Sequence, residues 1–244
     1  GGRSSARETA ARVAAGAIAS KILSSMGIHL TAYTRSIGPV SISDDHFDPS
    51  AISETSTCMP DREADARASA FLAQCMKEHD SAGGVVECVV SGVPAGIGDP
   101  VFEKLDAMLS MAVMSIGAVK AVEIGDGIAA ASRKGSENND AFYADHGQIK
   151  KKTNHAGGIL GGISDGSEII LRAHFKPTPS IFQKQHTVTN TLENTELEIR
   201  GRHDPVVVPR AVVVVECMTA LTILDACMKN MTARLDYLVD FYQS

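Results

Sequence analysis

Apolar positions recur at helical spacing near the start of the chain, where Ala10, Val13, Ala14, Ala17, Ile18 and Leu23 form a narrow stripe of small residues that permits close packing. Ser5 and Glu8 stand three apart ahead of it. That spacing predicts a capping box, in which hydroxyl and carboxylate each satisfy an orphan amide of the first turn. Gly27 is the expected stop. Residues 28–34 are β-prone, and residues 44–60 carry turn formers with little periodicity, which predicts a loop. A second helix is predicted over residues 62–79, with Ala68, Leu72, Cys75, Met76 and His79 on one face. His79 then reads as a boundary residue rather than a ligand.

Residues 85–90 predict a strand, and residues 93–98 a loop that delivers the chain to Asp99 as N-cap and Pro100 as the first residue of a helix ending near Ile116. Residues 119–124 predict another strand, closed by Gly125, Asp126 and Gly127. Residues 169–175 read as a strand that Pro177 and Pro179 break, and residues 187–199 alternate like a hairpin. Residues 206–242 mix a valine run with helical spacing of Met218, Leu221, Leu224, Met228 and Leu235. The run exceeds ordinary strand length, so a helix is expected. Residues 133–166 are rich in Gly, Asn, Asp and Ser, too polar to pack a core and too long for a plain connector, so functional loops are expected there.

With 244 residues, 44% of them hydrophobic and 21% charged, the chain is globular rather than disordered or fibrous, with room for one large domain or two small ones. A net charge of -6 argues against nucleic acid or an anionic membrane as the main partner, so any basic site is local. Lys150, Lys151 and Lys152 read as a solvated loop. The longest apolar stretch, residues 211–228, is interrupted by Glu216 and Asp225, so no membrane span is expected. Cysteines 58, 75, 88, 217 and 227 form no CxxC pair and lie in apolar segments, which predicts reduced thiols and a cytoplasmic location. Neither a zinc spacing nor HExxH is present, so no metal is expected. The opening residues, with neither an initiator Met nor a signal peptide, look like the middle of a longer protein.

Several segments can carry chemistry. Arg3, Ser4 and Ser5 lead into a helix start that suits an anion, although the same residues make an ordinary capped helix with surface arginines. Glycines 157, 158, 161 and 162 let a backbone approach a ligand or make two tight turns, and the pattern is not GxGxxG. Lys176-Pro177-Thr178-Pro179-Ser180 sets a cation and two hydroxyls on a stiffened backbone, fit for a phosphate or simply a strand terminator. Gly201-Arg202-His203-Asp204-Pro205 holds ionisable groups between chain breakers, where Arg202 and Asp204 could fix a cofactor and tune its proton affinity. A Ser-His-Asp triad is disfavoured because no nucleophile elbow is present.

Taken in order, residues 2–9, 91–98, 122–127, 153–159, 176–180 and 201–205 resemble the chorismate synthase family. The resemblance covers essentially the whole chain, which corresponds to about the C-terminal two thirds of that family. It implies an α+β fold, a β-α-β sandwich of antiparallel sheets enclosing helices, as a single domain over residues 1–244 that is incomplete at its N-terminus. It implies a lyase that eliminates phosphate and a ring hydrogen, 1,4-anti, from 5-enolpyruvylshikimate 3-phosphate. The family uses reduced FMN, whose N5 takes up the departing proton, without net redox change.

Carried over by motif, FMN contacts fall on Arg3, Ser4, Ser5, Gly117, Ala118, Gly161, Lys176, Pro177, Thr178, Pro179, Ser180 and Arg202, and substrate contacts on Ala6 and Arg7. Asp204 matches the carboxylate that assists proton handling near the flavin N5, and residues 135–140 match a loop near the flavin. Many relatives have Asn where Gly117 stands, and glycine offers only backbone. The resemblance further implies a homotetramer and an NADP-linked supply of reduced flavin, built in or from a separate flavin reductase. The family's two catalytic histidines and its N-terminal arginines have no counterpart here, and none of the eight histidines inherits those roles. Two readings follow: a lyase represented by part of its chain, or a catalytically inactive fragment that retains flavin binding or assembly only.

Overall fold

A computed structural model of the protein describes residues 5–199, 201 and 204–243. Ser5 caps a short 3-10 turn, Ala6–Glu8, by accepting from the Arg7 amide at 3.4 Å, and helix α1 follows over Thr9–Ser25. The second half of the expected capping box is replaced. Glu8 turns forward to the Arg12 guanidinium at 2.8 Å, a charged partner one helical turn on. α1 buries Gly16, Ala19 and Leu23 and leaves Ile18 exposed, because the helix approaches its neighbour at Gly16, where a Cβ would lie 2.2 Å from that of Cys217. The helix stops as expected. Gly27 takes φ +78°, its amide donates to the Ser24 carbonyl and that of Ile28 to the Leu23 carbonyl, with Leu23 and Ile28 both buried.

Strand β1 (His29–Ile37) turns through Gly38 into β2 (Val40–Ser41), paired antiparallel at Ile37 and Val40. Residues 44–60 hold only a 3-10 turn and the one-turn helix α2 (Ala51–Glu54). Helix α3 (Arg62–Lys77) is capped by buried Asp61, which accepts from the amides of Glu63 and Ala64 and from that of Ser43, each at 3.0 Å. It buries Ala64, Ala68 and Cys75, whereas Met76 and His79 are exposed. The expected face is thus corrected: Met76 lies one residue, about 100° of rotation, past Cys75.

Strand β3 (Gly84–Ser91) leads to helix α4 (Leu105–Met114), which starts later than Asp99 and Pro100 predict. Val101 is left-handed at φ +73°, incompatible with a right-handed helix, and the Leu105 amide is taken by the Gly162 carbonyl at 2.8 Å. Strand β4 (Val119–Ile124) closes in a turn with Gly125 and Gly127 at positive φ. Residues 133–166 are ordered rather than a plain loop: helix α5 (Gly135–Asn138), the ribbon β5 (Phe142–Asp145) with β6 (Gln148–Lys151), and the ribbon β7 (Ile159–Leu160) with β8 (Ile163–Ser164). The expectation that they cannot pack is corrected by the Lys151 side chain, 5% exposed between the carboxylates of Asp140 and Asp165.

Strand β9 (Ile169–Phe175) alternates buried and half-buried residues along its length. The ribbon β10 (Gln185–Val188) with β11 (Asn194–Leu197) follows, then helices α6 (Val208–Asn230) and α7 (Leu235–Gln243), where one run was expected. Contrary to the expectation from Glu216 and Asp225, α6 is long and apolar enough to cross a membrane by length and composition. Val215, Thr219, Ala220 and Ile223 are buried, and Glu216 accepts from the Ala32 amide at 3.1 Å, so here it serves as a core helix.

The larger sheet has the order β2-β1-β3-β9-β4, and the fold is α+β, antiparallel strands with helices. The chain forms two compact units: Gly1–Ala32 with Glu87–Ala173 and Val213–Ser244, and Tyr33–Val86 with His174–Val212.

Candidate functional site

Arg3, Ser4 and Arg202 lie outside the described residues. The first unit carries Ser5, Ala6, Arg7, Gly117, Ala118 and Gly161; the second carries Lys176, Pro177, Thr178, Pro179, Ser180 and Asp204.

In the first unit the Ser5 hydroxyl accepts from both the amide and Nε of Arg7, at 3.4 and 3.0 Å. This folds the guanidinium back over the helix start and leaves its terminal NH2 groups without a partner among the described residues, donors for an anion. Gly117 and Ala118 sit in the turn between α4 and β4. Ala118 is held at φ +73°, a left-handed conformation costly for a residue with a Cβ, and a Cβ added to Gly117 would meet nothing. The same holds beside Gly161, so the glycines at 117 and 161 border open space rather than protein. Arg12 joins two of these segments, with Nε 2.8 Å from Glu8 and Nη1 2.6 Å from the Ser115 hydroxyl.

Beneath the Gly-rich loop lies a network that no periodic pattern announces. Lys151 Nζ meets Asp165 at 2.7 Å, Asp140 at 3.4 Å and the Asn154 side-chain oxygen at 3.3 Å. Burial alone would raise the Asp140 carboxyl. The Thr153 hydroxyl, the amides of Ala156 and His155, and the Lys151 charge outweigh it and hold the group well below the usual carboxylate range. Next to it Asp126 accepts from Arg133 and faces His155 Nδ1, each at 2.6 Å. Asn138, in the loop expected near a flavin, keeps a buried side-chain oxygen with no hydrogen-bond partner among the described residues.

In the second unit Ser81 donates to the Thr178 carbonyl at 2.7 Å. A Cβ on Gly83 would lie 2.4 Å from the Phe175 carbonyl oxygen, so a glycine is needed where the chain passes under the prolines. The paired glycines at 83 and 84 were the signal for this contact, and sequence reasoning passed over them. Among the described residues Lys176 has no ion pair and the buried Thr178 hydroxyl has no hydrogen-bond partner. Asp204 is engaged by both terminal nitrogens of Arg210, at 2.6 and 3.0 Å. Asp204 and Ser180 meet in one small cavity of about 100 Å3, with His79, Asp80 and Phe182 on its wall. That volume suits a few waters. In the first unit an apolar cavity of about 550 Å3, lined by Met26, Pro94, Tyr237 and Phe241, touches none of the candidate residues.

These features define an α+β protein in which, among the described residues, the outer nitrogens of Arg7, the Lys176 ammonium and the buried Thr178 hydroxyl have no protein partner. Residues 1–228 match the family model described as chorismate synthase. The chorismate synthase of Agathobacter rectalis is 58% identical over 243 residues, 100% of this chain and 66% of that protein. That of Lachnoclostridium phytofermentans is 55% identical over 244 residues, and that of Archaeoglobus fulgidus 52% over 231 residues, covering 66% and 64% of those proteins. A crystal structure of chorismate synthase superposes with a TM-score of 0.79 at 31% identity, over 93% of this chain and 65% of that one. The chain therefore belongs to the chorismate synthase family, and it spans just under two thirds of the length of these relatives.

Proposed function

We propose that the protein containing this chain is a lyase that removes phosphate and a ring hydrogen from 5-enolpyruvylshikimate 3-phosphate, giving chorismate, with reduced FMN. The observation that carries this reading is the family match over residues 1–228. The donor set fits a flavin phosphate and a polyanionic substrate. The Lys176 ammonium, the buried Thr178 hydroxyl and the outer nitrogens of Arg7 lack partners among the described residues, in a chain of net charge -6.

The residues proposed to hold FMN are Ser5, Gly117, Ala118, Gly161 and Lys176 to Ser180, with Arg3, Ser4 and Arg202. When bound, the reduced flavin supplies electron density to the breaking bonds and a site for the departing proton. Ala6 and Arg7 are proposed to face substrate, Arg7 binding an anionic group through the nitrogens that Ser5 does not occupy. Asp204, oriented by Arg210, retains oxygen lone pairs for one further donor, so it can accept a hydrogen bond near the proton-bearing atom without moving. We further propose that the chain is one domain of a cytoplasmic homotetramer, with reduced flavin supplied by an NADP-linked reductase activity, its own or a partner's.

The second reading, flavin binding without turnover, is favoured for residues 1–244 alone, because the two histidines the resemblance requires have no counterpart among them. Isothermal titration with FMN and an anaerobic assay of chorismate formation, each on the 244 residues and on the intact protein, test both. Binding by both with turnover only by the intact protein is expected. An intact protein that binds no FMN would reject the first reading.

A further inference from the structure

We infer that Arg12 is a positioning residue for the flavin site, holding the start of α1 and the turn at residues 115–118 in one fixed relationship. This rests on the flavin reading above, since both segments carry proposed FMN contacts. Ser5 is half-buried and Ala6, Arg7 and Glu8 are exposed, and in the turn Ile116 is buried while Ser115 and Gly117 on either side of it are exposed. At the exposed positions Arg12 makes a polar contact to each segment.

Its Nε donates to Glu8 at 2.8 Å and its Nη1 to the Ser115 hydroxyl at 2.6 Å, with the Met218 sulfur 3.9 Å from the same nitrogen. The planar fork therefore addresses both segments at once, with directions a flexible ammonium would not reproduce. Ser115 passes the constraint on. Its own hydroxyl donates to the Ala112 carbonyl at 2.6 Å, so the residue that closes α4 is locked between helix and guanidinium. A cation at that point also complements the negative end of the α4 dipole. Three residues on, Ala118 is held at φ +73°, a conformation that persists only where its surroundings enforce it. Arg12 itself has no proposed contact with FMN or substrate.

The test uses the intact protein with variants Arg12→Lys, Arg12→Met, Ser115→Ala and the double variant Arg12→Met/Ser115→Ala. FMN affinity is read by isothermal titration, the bound flavin's absorbance and fluorescence spectrum reports its surroundings, and melting temperature without ligand reports stability. Losing a hydrogen bond to a charged group weakens affinity about tenfold to a hundredfold, so Arg12→Met should do so and alter the bound-flavin spectrum. Ser115→Ala should weaken FMN less, the double variant no more than Arg12→Met alone, and Arg12→Lys should recover only part. A lowered melting temperature with FMN affinity within twofold of the parent, or losses that simply add in the double variant, would overturn the assignment. If the unmutated protein binds no FMN, the flavin reading itself falls and this inference with it; if it binds and Arg12→Met matches it, only this inference fails.

Discussion

Arg210 grips Asp204 through a bidentate pair, Nη1 to Oδ2 at 2.6 Å and Nη2 to Oδ1 at 3.0 Å, across the break between the 201–205 segment and α6. The pair is exposed enough that it adds little to stability, about 1 kcal/mol or less, so its consequence is orientation of the carboxylate plane. In the intact protein Asp204→Asn should lower turnover much more than it weakens FMN, because the amide keeps size while losing charge. Arg210→Lys, which loses the fork, should fall between parent and Asp204→Asn. Steady-state kinetics beside FMN titration decides: equal losses in both constants would make Asp204 a binding residue.

Thr178 hides a hydroxyl that has no hydrogen-bond partner among the described residues. An unpaired buried hydroxyl costs about 1 to 3 kcal/mol, so Thr178→Val should raise ligand-free stability by up to that amount while weakening FMN about tenfold. Denaturant unfolding without ligand and titration with FMN measure the two effects. A variant that is both less stable and unchanged in affinity would mean the hydroxyl holds the loop rather than the cofactor.

Asp140 is held below the usual carboxylate range, so its stabilisation is fully present above the unfolded-state value and is lost as pH falls through the lower folded value. Asp140→Asn should therefore be clearly less stable than the parent at neutral pH. The gap should close on acidification below about pH 4, the ordinary carboxylate value. Urea midpoints across that range would expose the error if the gap stayed constant.

Glu216 behaves with the opposite sign: burial raises its carboxyl, and the single amide bond from Ala32 opposes that only in part. Stability is then greatest below the ordinary carboxylate value and declines as pH rises through the raised one. Glu216→Gln keeps an oxygen for the Ala32 amide and should stabilise the protein at pH 8 while changing little at low pH. Thermal melts at both pH values check it, and a destabilised variant at pH 8 would show the charge to be paired.

Where a segment's structure is decided by its neighbours in sequence, the sequence showed it. Residues 169–175, ended by the prolines that follow, became β9, Gly27 closed α1, and the glycines after Ile124 made the turn. Where a distant group decides, it did not. Asp99 and Pro100 made a sound local helix start, but the Gly162 carbonyl takes the Leu105 amide and the helix begins there. Lys151 reads as one of three solvated lysines until Asp140 and Asp165 fold over it. In the candidate site the motif residues were legible. Their second partners were not, because Arg12 with Ser115 and Gly83 with Phe175 pair only in the folded chain.

The most direct test of the lyase reading follows phosphate, chorismate and flavin together. The intact protein is incubated anaerobically with 5-enolpyruvylshikimate 3-phosphate and FMN reduced in advance. Phosphate and chorismate should appear one for one over many turnovers, with the flavin spectrum returning to the reduced form and no product when FMN is omitted. Phosphate released without flavin, or one flavin oxidised for each product formed, would contradict it.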